Sequence, residues 1–112
     1  MSIPNLNRKL VLEAPVQVPD GSGGFSESWT VLGTLWAVLR AGTGREAQAA
    51  GLAISTVPYK ITVRAAEPGA PSRPVAGQRF VDGIRYFRIL AVSDAVGDAR
   101  YLTCLAREEV VA

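Results

Sequence analysis

Apolar and polar positions alternate along most of this chain. In PYKITVRAA (58–66), Tyr59, Ile61 and Val63 alternate with Lys60, Thr62 and Arg64, the period-two pattern of a strand with one buried face. RKLVLEA (8–14) and PVQVP (15–19) carry alternating or continuous aliphatic residues. SESWTVLGTLWAVLRA (26–41) is a long run rich in Trp, Thr, Val and Leu, side chains that fit a pleated, half-buried surface. Gly33 within that run predicts a bulge or sharp bend, as where a strand turns a barrel corner. DGSGG (20–24) reads as a turn, because glycine takes positive φ angles that side chains resist. The proline-rich EPGAPSRPVAG (67–77) predicts a surface connection without regular structure. In QRFVDGIRYF, Asp82-Gly83 joins two β-prone runs and predicts a hairpin with a type I′ turn. IRYFRILAVSD (84–94) continues as a strand, AVGDA (95–99) turns, and RYLTCLARE (100–108) closes the series. At most one helical turn is expected, near REAQAA (45–50). The pattern predicts an all-β fold: a small antiparallel barrel or sandwich of five to seven strands, spanning residues 1–112 as one domain, with one long mid-chain loop at 42–57.

That loop begins with a motif that tests the fold. AVLRAGTGREAQAAG (37–51) holds Gly42-x-Gly44-x-x-Ala47 after a strand, and Gly-x-Gly-x-x-Gly/Ala between a strand and a helix can cradle a pyrophosphate. A dinucleotide fold also needs a full crossover helix and a second parallel strand ending near an acid. Here the helix-prone piece stops before Gly51, and no acid follows Glu46 until Glu67. The motif is therefore read as a glycine-rich loop and not a nucleotide site. Its residues are small, Arg45 and Glu46 are its only charges, and no bulky side chain fastens it to the domain. A loop of this length in a small domain is commonly functional, or orders on assembly.

Composition narrows the chemistry. A chain of 112 residues buries roughly two-thirds of its unfolded surface, enough for one core without metals or disulfides. No apolar run approaches the ~20 residues that span a bilayer, and MSIPNLNRKLVLEAP lacks the apolar stretch of a secretory signal, so a cytoplasmic address is expected. There is no histidine, and Cys104 is the only cysteine. It sits in a core-like run, Leu102-Thr103-Cys104-Leu105, with no base to activate it. The carboxylates fall at turns (Asp20, Asp82, Asp94, Asp98) or at the tail (Glu108, Glu109), where acids usually serve local hydrogen bonding. No enzyme activity, cofactor or metal is expected. The net charge of +2 arises in the second half, where Lys60, Arg64, Arg73, Arg79, Arg85, Arg88 and Arg100 outweigh the acids. Such a half could face nucleic acid phosphates or be a solvated β-surface. Trp29, Trp36, Tyr59, Phe80, Tyr86, Phe87 and Tyr101 could stack bases on an open sheet, IRYFRI (84–89) coming nearest, or could pack the core and subunit contacts. A small barrel binding single-stranded nucleic acid is thus the alternative function. Arg79, Arg85 and Arg88 are the candidate subunit- or DNA-facing cations.

The order of these features resembles the head–tail joining proteins of tailed bacteriophages, also called head-closure or stopper proteins, and their relatives in gene transfer agents. The likeness spans about residues 5–108. It rests on the basic opening NRKLVLEAP, and on PDGSGGFSESWTVLGTLWAVLRAGTGRE with its acid-Gly-Gly turn, Trp strand and W-A strand. PYKITVRA, VDGIRYFRILAV and the closing RYLTCLARE complete it. The resemblance implies a small β-barrel that assembles as a ring, sixfold or twelvefold, in the virion neck, after a stage in the host cytoplasm. Its implied partners are the head-side portal or adaptor and the tail terminator protein, with DNA passing non-specifically through the channel. The family's loop after the W-A strand faces that channel. Carried over, Gly42–Val57 becomes the candidate gating segment, with Gly42, Thr43, Gly44, Arg45, Glu46, Gln48, Gly51 and Leu52 as its residues. A near-neutral loop would not clamp passing DNA as a run of cations would, and one without anchors could order only among neighbouring copies.

Overall fold

The computed structural model describes residues 5–49, 51–52, 56–95 and 98–109. Strands β1 (Arg8–Pro19) and β2 (Phe25–Ala41) are followed by a short helix α1 (Gly44–Ala49). Strands β3 (Pro58–Arg64), β4 (Arg79–Asp82), β5 (Arg85–Ala95) and β6 (Asp98–Glu109) complete the chain. The six strands close into an antiparallel barrel in the order β1-β2-β3-β6-β5-β4. Alternation decides which residues enter it: Leu10 and Leu12 from β1, Ile61 and Val63 from β3, Phe80 from β4, Phe87 and Ile89 from β5, and Leu102, Cys104 and Ala106 from β6 are all buried. Burial pushes the Cys104 thiol up to about 12.

The runs 8–14 and 15–19 form one strand, continuous through Pro15. Past Glu13 the strand pairs with β2 alone, and a strand with one free edge tolerates a proline. The bend expected at Gly33 is a bulge: Leu12 faces Gly33 and Glu13 faces Val31. The unpaired Leu32 packs against the core. This bulge also marks where the barrel stops. Beyond it, β1 and β2 run on as a two-stranded arm to a tip where Asp20 Oδ1 accepts the Ser22 and Gly24 N–H groups at 2.8 and 3.1 Å, which accounts for the 54 Å long axis of the molecule.

The β4–β5 hairpin corrects one expectation. Asp82 pairs with Arg85, so the loop is Gly83-Ile84 and not Asp82-Gly83. Gly83 has a φ of 62° while no non-glycine residue among the described residues has a positive φ. Type I′ needs positive φ at both central residues, and positive φ at the first alone is the type II′ signature. The 67–77 connection is a chain of turns, held where Arg73 Nη1 donates to the Ala66 carbonyl at 2.8 Å and Gly77 N–H to that of Ile89 at 2.9 Å.

Candidate functional site

The segment after β2 is more ordered than its composition suggests. Thr43 Oγ1 accepts the Glu46 N–H at 3.1 Å, and Glu46 Oε1 accepts the Thr43 N–H at 3.1 Å. This reciprocal pair satisfies two of the donors that a helix start leaves unpaired. At the other end Gly51, with φ of 76°, lets its own N–H reach the Gln48 carbonyl at 3.0 Å and the Leu52 N–H reach that of Ala47 at 2.9 Å, a Schellman ending. The helix is moored to β3. Ala47 is fully buried, the Gly42 N–H donates to the Pro58 carbonyl at 2.7 Å, and Lys60 Nζ lies 2.6 Å from Glu46 Oε2. The hydrogen bond from Lys60, then that from the Thr43 N–H, holds the Glu46 carboxyl below its ordinary value. A Cβ on Gly42 would stand 2.9 Å from Pro58 Cγ, so the close approach requires glycine there; around Gly44 there is open space.

The expected anchorless loop therefore holds a capped helix, α1 over Gly44–Ala49, with its caps at Thr43 and Gly51. Arg45 and Gln48 are on its exposed side. Of the gating segment, Ala50 and residues 53–55 lie outside the described residues. The signal was in the sequence: Thr43-x-x-Glu46 followed by Gly51 is a capping box with a terminating glycine, written into the same letters as the phosphate-loop motif.

The mouth of the barrel beside α1 is closed by aromatic and charged groups. Tyr59 and Phe87 meet edge to face, with centroids 5.0 Å apart and planes at 70°. Arg85, on the same strand face as Phe87, donates to Glu108 through Nε at 2.8 Å and Nη2 at 3.1 Å, and to Tyr59 Oη at 3.2 Å. The bidentate pair raises the Arg85 pKa and lowers that of Glu108.

Arg79 and Arg88 hold the root of the arm. Arg79 Nε lies 2.7 Å from Glu13 Oε1, and its guanidinium sits between the Trp29 ring at 3.9 Å and the Tyr86 ring at 4.3 Å. Arg88 pairs with Glu109 at 2.8 Å and Glu27 at 3.5 Å and lies 4.8 Å from the Trp29 centroid. All three arginines singled out from the sequence are thus engaged by carboxylates of their own chain. The structure does not gather them with the α1 residues into one cluster: Arg85 is at the α1 end, while Arg79 and Arg88 face the arm. Sequence reasoning missed the arm as a feature. Its trace was the bulge glycine, which separates the exposed arm half of β2 from the half that joins the barrel wall.

The sequence profile described as phage head completion protein matches residues 1–109. A chain in the virion of a native gene transfer agent particle is 45% identical, with a TM-score of 0.78 over 98% of this chain and 100% of that one. A protein of Shigella flexneri 2a, known from its solution structure, is 27% identical, with a TM-score of 0.66 over 96% of both chains. No curated protein matches the chain.

Proposed function

The chain belongs to the phage head completion protein family, and on that premise we propose that it forms a ring in the neck of a phage or phage-like particle, closing the DNA-filled head and offering the tail a docking surface. The observation that carries this reading is the near full-length likeness, 45% identical, to a chain of a gene transfer agent virion. The work is mechanical and not enzymatic. Its partners on this reading are further copies of itself, the portal or adaptor on the head side and the tail terminator on the other.

The fold suits the task. A closed barrel has few free sheet edges to pair wrongly and makes a stiff wall element. Its two ends differ: β2 runs from the arm through the barrel to Ala41, so the arm and α1 lie at opposite ends. We assign α1 and its flanks, Gly42, Thr43, Gly44, Arg45, Glu46, Gln48, Gly51 and Leu52, to the channel side. In this role α1 acts as a firm lip, since both helix ends are capped and Lys60 holds its Glu46. Arg79, Arg85 and Arg88 serve the subunit's own construction. Each would have to break an ion pair to bind a phosphate, and Arg79 covers Trp29 and Tyr86, two of the rings that base stacking could use. The single-strand-binding alternative is the weaker for it.

Deleting the gene in the strain that carries it, with electron microscopy of induced particles, tests the reading. The expected result is DNA-filled or leaking heads beside detached, complete tails. Intact tailed particles would reject it.

A further inference from the structure

Beyond Glu13 and Val31 no third strand joins the arm among the described residues, Ala14–Pro19 pairing there only with Phe25–Thr30. At about 3.3 Å per residue it projects roughly 20 Å, and a two-stranded ribbon by itself is marginally stable in water. It exposes Val16 and Val18 on one face, opposite Ser28 and Ser26, and Phe25 on the other, opposite Pro19. Residues 13–39 include Glu13, Asp20 and Glu27 but no Lys or Arg. Glu13 and Glu27 are paired to Arg79 and Arg88, whereas Asp20 at the tip accepts backbone N–H groups and has no ion pair among the described residues.

A matching surface lies elsewhere on the barrel. The strand register sets Arg40, Lys60, Leu105 and Ala91 side by side across β2, β3, β6 and β5, with Thr103 and Ser93 in the next row. Two shallow concavities, about 490 and 280 Å³, share Lys60 and Leu105 and continue into one groove running from α1 to β5. Ala91, Leu105, Ser93 and Thr103 line it together with Asp94 and with Lys60, which Glu46 holds, and Arg40 stands at its rim without an ion pair among the described residues. In the order β1-β2-β3-β6-β5-β4, the strands β3 and β6 stand across the barrel from β4 and β1. The groove centres on β3 and β6, while the arm is rooted on β1 and β2 and tied towards β4 and β5 through Arg79 and Arg88. Arm and groove thus occupy different sides of one subunit.

We propose that the arm of one copy seats in the β3–β6 groove of the next copy, its Val16 and Val18 covering the floor and its Asp20 facing Arg40. This deepens the ring reading and rests on it. Because one patch meets a different patch, the contact is heterologous and propagates until the rotation closes a ring.

Cross-linking in assembled particles tests the proposal. Cys104 is buried and its thiol stays protonated at neutral pH, so it contributes no background. Particles carrying both Val18→Cys and Ser93→Cys, mildly oxidised, are expected to give a ladder of this chain from dimers upward, while either single substitution stays largely monomeric. Asp20→Asn, which keeps the turn's acceptor and removes the charge, is expected to lower the ladder yield several-fold. Counting copies per particle separates the possible failures. Many copies with no ladder would overturn the arm–groove contact and leave the ring standing. A single copy would overturn the ring itself. Dimers alone would indicate a closed two-fold contact, and an adduct with another virion protein would place the arm there; either result overturns the proposal.

Discussion

Gly42, Gly44 and Gly51 look equivalent as letters, yet the structure gives each a different tolerance. Gly42→Ala places a Cβ 2.9 Å from the Pro58 ring and should lower the denaturation midpoint by shifting the Gly42–Pro58 contact. Gly51→Ala keeps open space but forces a side chain to φ of 76°, at a cost of about 1 kcal/mol. Gly44→Ala meets nothing and should be neutral or stabilising by up to about 1 kcal/mol through helix propensity. Denaturant melts of the three variants check the ranking, and a destabilised Gly44→Ala would contradict it. Glu108 supplies a test in pH. Its folded pKa lies below the ordinary 4.5 because Arg85 binds the carboxylate. The pair's contribution is therefore fully present above about pH 4.5 and fades as pH falls through the lower folded value. Glu108→Gln should melt earlier than the parent near pH 7, with the gap narrowing below about pH 4.5. A gap independent of pH would show that the pair contributes nothing through charge.

Among the elements, β3, β5 and β6 follow directly from alternation in the sequence, because strand side chains point to opposite faces whatever surrounds them. The bulge was legible in Gly33, though what it separates was not. Whether β1 and β2 continue as barrel or as arm depends on β4 stopping at Glu13↔Arg79, a pairing across 66 residues that no local window contains. For α1 the difficulty was of another kind. Thr43, Glu46 and Gly51 carry the capping code, but Gly42 and Gly44 lower helix propensity, and six residues are too few to be stable in isolation. The helix stands because β3 gives it Lys60 and the Pro58 carbonyl. Among the described residues of 43–55 only Ala47 belongs to the buried hydrophobic set, so with a short turn in place of that segment the barrel should still fold, with a cooperative melt and a β-type circular dichroism spectrum. On the channel-side assignment, heads carrying that variant should lose DNA. Heads that retain DNA as well as the parent's would remove α1 from any gating role.

At the level of the whole molecule, the closed sheet concentrates stability in one ring of side chains. Phe87 is fully buried, packs edge to face on Tyr59 and sits under Arg85. Phe87→Ala should cost about 3–5 kcal/mol, a large share of the roughly 5–15 kcal/mol that holds such a domain together. Urea titration followed by Trp fluorescence reads this directly. A loss below about 1 kcal/mol would mean that the barrel end collapses around the gap.

The sequence by itself determined the all-β class, the strand faces, the glycine turn at 20–24, the proline-rich connection and the absence of histidine. All of these follow from periodicity and composition, which are local or global properties of the string. The order of its β-patterns also carried the family likeness. The tertiary structure alone decided that β1 closes on β4, that the helix of the Gly-x-Gly segment is tethered to β3, and that Arg79, Arg85 and Arg88 face their own carboxylates. Pairings such as Arg79–Glu13 and Arg8–Asp82 join residues 66 and 74 positions apart. Their energies depend on a distance set by the closure of the barrel, and a linear pattern holds no record of it.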